Sequence, residues 1–197
     1  MSITLSKQDG DNPINGLAKI AVGASWDTTA GMSGGLLGKI KRKVGTDLDA
    51  IAVLTSNGEP VRYAGIDVLD PVQNGAVVHS GDNQTGHGEG DDETITVDFS
   101  KLPSHVDGVL FVCAAFKVGS SLERAANVSF KVYTQGQGES RLEQVADIWP
   151  SLMITGNAVA VAKVHRVNDD WFLTVVNSPG SITQGDRRSL LQFAMGM

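Results

Sequence analysis

The sequence predicts an all-β fold: a β-sandwich of two antiparallel or mixed sheets, with a short helix near residues 120–127 and a second helix at the C-terminus. Three observations carry that prediction. About ten short apolar runs recur along the chain with turn-forming residues between them, which points to a sandwich. Glycine is abundant, 23 of 197 residues, while charged residues make up only 19%, a balance that favours turns and short strands over charge-laced helices. Hydrophobic residues reach 41%, enough for one core without covalent staples. No internal repeat or linker interrupts the chain, so residues 1–197 read as one domain.

Taken in order, residues 3–5 and 19–26 mix small, apolar and polar side chains as half-buried strands do. Residues 48–55 are nearly continuous in apolar character, so this strand is expected to be central and covered on both faces. Strands are expected next at 61–63, 76–79, 94–99, 108–117, 128–133 and 141–148. The runs 158–167 and 171–176 flank Asn168-Asp169-Asp170, residues that tolerate turn dihedrals, and should form a hairpin. Residues 120–127 have room for a turn or two of helix. Residues 182–195 place Leu190, Leu191 and Phe193 beside Arg187 and Arg188, which suits a helix packed on the sandwich.

The bulk chemistry excludes several functions. A formal charge of −6 argues against a phosphate-backbone partner, so nucleic acid is not expected. Cys113 is the one cysteine and lies in an apolar run, where a thiol behaves as a small hydrophobe. The first residues lack the charged and apolar regions of a secretory signal, and no apolar stretch approaches the roughly 20 residues that span a bilayer. The expectation is a cytoplasmic protein with no transmembrane segment.

Two segments depart from the strand rhythm. Residues 31–43 are glycine-rich and carry Lys39, Lys41, Arg42 and Lys43 beside Met32, Leu36, Leu37 and Ile40. They read as a surface loop insertion, with contact to an anionic surface or partner as the sharper reading. Residues 79–93 are acidic: Asp82, Glu89, Asp91, Asp92 and Glu93 fall within twelve residues, interleaved with Gly81, Gly86, Gly88 and Gly90. Clamped between two strands, these carboxylates cannot spread apart. Two like charges about 4 Å apart repel by roughly 4 kcal/mol at an effective dielectric of 20, and nothing basic lies nearby in sequence. The glycines let the backbone aim carbonyls inward.

Hard oxygen donors in a permissive loop are what calcium takes, whereas zinc or a late transition metal asks for cysteine or several histidines. The P-loop, dinucleotide and EF-hand spacings are all missing. His79 and His87 have no nucleophile or acid at a catalytic spacing. Asp47 and Asp49, separated by Leu48, are expected to point to one side of the strand they open, and Trp26-Asp27 closes the second strand.

Gly23-Ala24-Ser25-Trp26-Asp27, then Asp47-Leu48-Asp49-Ala50, then the long run from His79 to Glu93 resemble, in that order, the successive signatures of the tellurium-resistance TerD family. The opening Ile3-Thr4-Leu5-Ser6-Lys7 is also similar. Resemblance is good to about residue 135 and weaker beyond. It implies a β-sandwich binding calcium in loops at one end, in proteins tied to tellurite resistance and stress, without an established enzymatic activity. By motif position the ligand set draws on Asp27, Asp47, Asp49, Asp82, Asn83, Asp91, Asp92 and Glu93, with backbone carbonyls near Gly86 and Gly88. His87 stands where an acid is frequent in the family, and the 31–43 loop lengthens the connection from Asp27 to Asp47.

The sequence therefore points to a non-enzymatic module that binds about two Ca2+ and presents a surface to a protein partner in a stress complex. The alternatives are a metal-dependent hydrolase using the same acids, with His79 as its base, and a structural scaffold subunit in which calcium is only a staple.

Overall fold

The computed structural model describes residues 7–28, 47–83, 90–122, 125–149 and 156–197. Two antiparallel sheets face each other. One has the order β1 (Asp11–Pro13), β11 (Asp170–Gly180), β10 (Ala158–Val167), β7 (Gly108–Ala114), β3 (Asp49–Ser56), β4 (Glu59–Ala64). The other runs β5 (Val77–His79), β6 (Glu93–Asp98), β2 (Leu17–Thr28), β8 (Ala125–Gly136), β9 (Glu143–Ile148). A single α-helix among the described residues, α1 (Arg187–Met195), follows β11.

The two-residue period of the strands sorts side chains between two cores. In β3, Ala50, Ala52 and Leu54 join the core between the sheets, while Ile51 and Val53 face the other way. β7 divides likewise: Val109, Phe111 and Cys113 point inward, and Leu110, Val112 and Ala114 outward. The outward set is covered by Ile182 together with Leu190 and Ala194 of α1, so β3 is buried on both faces, as its continuous apolar run predicts. Five-stranded-sheet residues Ile20, Val22, Ile95, Phe130 and Val132 close the inner core.

The hairpin predicted at Asn168 is present, with Val167 opposite Asp170 and Asn168 at φ 57°, a left-handed position that asparagine tolerates. A second tight turn, Asn57-Gly58 between β3 and β4, has φ values of 54° and 76°, the pattern of a type I′ hairpin.

The structure corrects three expectations. Residues 125–127 are strand rather than helix, because β8 pairs with the end of β2, Thr28 with Ala125 and Asp27 with Ala126. Tertiary pairing overrides the helix-forming composition there. The C-terminal helix is shorter than 182–195: Asp186 caps it, accepting from the Arg188 N–H, and the preceding residues are tied to the segment after β7 by the Gly185 N–H on the Phe116 carbonyl at 2.8 Å. The strand expected at 108–117 ends at Ala114, and residues 115–120 leave the sheet as a strap. The strand expected at 3–5, the basic loop with Lys39, Lys41, Arg42 and Lys43, and Gly86, His87, Gly88 and Glu89 lie outside the described residues.

Candidate functional site

Antiparallel pairing brings the predicted acids to one end of the sandwich. Ala24, near the end of β2, lies opposite Glu93 at the start of β6, and Asp49 at the start of β3 lies opposite Ala114 at the end of β7. The acids come from both sheets.

Glu93 is fully buried. One carboxylate oxygen accepts the Ala50 N–H at 2.7 Å and the other accepts the Asn83 N–H at 3.2 Å. His79, also buried, places Nε2 3.0 Å from the Ala50 carbonyl and 3.3 Å from Glu93. Its Nδ1 accepts the Gly81 N–H at 2.9 Å, so the ring proton sits on Nε2. The reason for this clamp lies in the pairing: β4 first pairs with β3 at Ala52, opposite Ala64, and leaves Ala50 without a strand neighbour on that side. Two side chains of the facing sheet supply the acceptor and donor that a strand would have given.

Asp47 and Asp49 are buried, 7% and 4% exposed. Asp49 accepts the Phe116 N–H at 3.2 Å. Burial, then the charges of Glu93 and Asp47, and finally that of Asp82, push its pKa up to about 7 against the single lowering effect of the Phe116 N–H. Asp47 meets the Lys117 ammonium at 2.9 Å through Oδ2, while its Oδ1 is buried with no hydrogen-bond partner. The hydrogen bond to Asp47, and then its charge, raise the pKa of Lys117.

The remaining acids lie around the end of β2. Asp92 accepts the Trp26 N–H at 2.8 Å and the Asn83 side-chain amide at 2.8 Å. That Trp26 N–H is released by a bulge in the β2–β8 ladder between Ser25 and Asp27. Burial, and then the charges of Asp27, Glu93 and Asp91, raise the Asp92 pKa against the pull of the Trp26 N–H. Asp27 is exposed and accepts from Asn127 at 2.7 Å. Asp91 lies over Gly23, where a Cβ would collide with the carboxylate. It accepts from Ser25 at 3.0 Å, Lys131 at 3.2 Å and Tyr133 at 2.6 Å. Asp82 is exposed and close enough for its charge to act on Asp49 and Lys117.

Sequence reasoning missed the groups that organise these acids: His79 as a cross-sheet clamp, Lys117 on Asp47, and Ser25, Lys131 and Tyr133 on Asp91. Ser25 and His79 are close to predicted ligands in sequence, two residues from Asp27 and three from Asp82, whereas Lys117, Lys131 and Tyr133 are far from the acids they meet. Cys113 is buried, and its thiol pKa is pushed well up by burial, then by Glu93 and Asp49, which fits an unreactive core residue.

Among the described residues no three His, Cys, Asp or Glu side chains are already arranged to hold a metal ion. The chemistry present nevertheless fits a hard cation: every predicted side-chain ligand offers oxygen, several are buried beside like charges, and Asp47 Oδ1 is an orphaned buried acceptor.

The TerD domain model matches residues 1–184. The chain is 31% identical to tellurium resistance protein TerZ of Serratia marcescens, covering 89% of this chain and 84% of that one. It is 32% identical to general stress protein 16U of Bacillus subtilis, covering 90% and 91%. Stress response protein SCP2 of Bacillus subtilis is 36% identical, with 82% of each chain covered. Among solved structures, a homologue of the telluride resistance protein TerD from Streptomyces coelicolor A3(2) superposes with a TM-score of 0.67 at 18% identity, covering 91% of this chain and 96% of that one. That likeness supports the sandwich fold. No described helix is long and apolar enough to cross a membrane.

Proposed function

This chain belongs to the TerD domain family, and we propose that it is a non-enzymatic, calcium-binding stress-response module of the tellurite-resistance type. The observation that carries the reading is the buried, unpartnered Oδ1 of Asp47 beside the buried carboxylates of Asp49 and Glu93. A buried anionic oxygen without a donor is costly, and a divalent cation removes that cost. About two ions are proposed. Asp47, Asp49 and Asp82 supply oxygens for one, and Asp27, Asp92 and Asn83 for the other. Asp91 and Glu93 already accept hydrogen bonds and contribute through their remaining lone pairs. Backbone carbonyls near Gly86 and Gly88 are expected to complete the shells.

Bound calcium would neutralise the acids and fix the loops at this end, forming a surface for a protein partner. The names of the relatives, tellurium resistance and stress response, support the stress-response part of this reading. His79 supports the non-enzymatic reading as well, because both its ring nitrogens are engaged and neither is free to act as a base.

Calorimetry tests the proposal. Calcium at 100 times its dissociation constant should stabilise the fold by about 2.7 kcal/mol, raising the melting temperature, and EDTA should reverse the shift. A melting temperature indifferent to both would end this reading. Pull-down from cell extract with and without EDTA separates a calcium-dependent partner surface from a staple.

A further inference from the structure

We infer that Lys117 is a built-in competitor for the calcium site: its ammonium holds the Asp47 carboxylate when no divalent ion is present and must give it up when one binds. The inference rests on the calcium reading above and concerns how that site is set.

Lys117 is carried on a fixed piece of backbone. The strap of residues 115–120 is anchored at both ends and from both sides. The Ala115 N–H donates to the Asn157 carbonyl at 2.9 Å, and the Phe116 N–H donates to Asp49. The Phe116 carbonyl accepts the Gly185 N–H at 2.8 Å. The Gln184 amide donates to the carbonyls of Ala115 and Ser120, each at 2.8 Å, while its oxygen accepts the Gly119 N–H. The stem of Lys117 thus starts from a defined place next to Asp47 and not from a loose loop.

The two partners differ in their access to water. The Asp47 side chain is 9% exposed, whereas that of Lys117 is 58% exposed. The carboxylate is committed to the site, and the ammonium can swing into solvent at little cost. Another lysine described at this end, Lys131, behaves differently. Lys131 is 25% exposed and shares Asp91 with Ser25 and Tyr133, so it is one of three donors on that carboxylate. On Asp47 one oxygen carries Lys117 and the other carries no hydrogen bond. A divalent cation reaching that unpartnered oxygen meets a positive charge across the same carboxylate. It gains the second oxygen only by displacing the ammonium. The displacement raises the calcium concentration needed to fill the site and so works as a threshold.

Isothermal titration of calcium into the full chain tests this with three variants. Lys117→Met should bind roughly two- to fivefold tighter than the wild-type chain, the range expected for loss of a partly exposed ion pair. Lys117→Arg, which keeps the charge, should stay within about twofold of wild type. Lys101→Met removes the same charge beside Asp98, beyond the far end of β6, and should leave the affinity unchanged. Equal or weaker binding by Lys117→Met, with wild-type binding intact, overturns the inference and leaves the calcium reading standing. Equal tightening by Lys101→Met also overturns it, since net charge alone would then explain the effect. If the wild-type chain takes up no calcium, both readings fall together.

Discussion

At Glu93 a carboxylate from one sheet holds the backbone of the other, accepting the N–H groups of Ala50 and Asn83 while His79 takes the Ala50 carbonyl. Glu93→Ala removes the acceptor from two N–H groups and is expected to cost about 3 kcal/mol or more in urea denaturation. Glu93→Gln keeps one acceptor oxygen and should lose roughly half as much. A loss below about 1 kcal/mol for the alanine variant would contradict the clamp. This scale also shows where the sequence is hard to read. The acids of residues 82–93 stand out by density, because like charge close together in a chain is visible without a fold. Their partners do not stand out. Lys117 is 70 residues from Asp47 and Tyr133 is 42 from Asp91, and each looks like an ordinary strand or loop residue until the sheets assemble.

Among the elements, α1 covers the outer face of β3 and β7, with Leu190 fully buried against Ile51, Val53, Leu110 and Val112. Leu190→Ala should therefore destabilise by about 2–5 kcal/mol in chemical denaturation, while the exposed Met195→Ala should change stability by less than about 0.5 kcal/mol. Equal effects would mean that the helix is not docked on this face. Most elements were legible because their signal is local: alternating small, apolar and polar residues mark β2, a continuous apolar run marks β3, and Asn168 marks the hairpin of β10 and β11. β1 was not legible. It is three residues long, includes Pro13, and exists only through its pairing with β11, at a sheet edge where proline is tolerated. Residues 125–127 failed for the related reason that their partner, the end of β2, is distant in the chain.

Across the whole molecule the two ends of the sandwich treat carboxylates in opposite ways. At the acidic end, burial and neighbouring acids raise the pKa values of Asp49 and Asp92. At the far end Asp98 caps a short turn, accepting from the Ser100 N–H and hydroxyl, with Lys19 and Lys101 each 3.7 Å away. Burial alone would raise its pKa, but the Ser100 hydroxyl and the two lysines outweigh it and hold the carboxyl below its usual range. A depressed carboxylate pKa contributes stability above the unfolded value of about 3.9, and that contribution is lost as pH falls through the folded value. Asp98→Asn should therefore cost about 1 kcal/mol at pH 7, and the gap from wild type should close in melts below about pH 4. A gap constant from pH 7 to pH 3 would place the effect in packing instead. The Ala50 clamp has a last consequence for visitors to the acidic end. Strand addition requires a vacant N–H and C=O, and at Ala50 both are already taken from within. An incoming peptide cannot extend the six-stranded sheet at that point by zipping onto its edge, so whatever docks there must be recognised through charge and side chains.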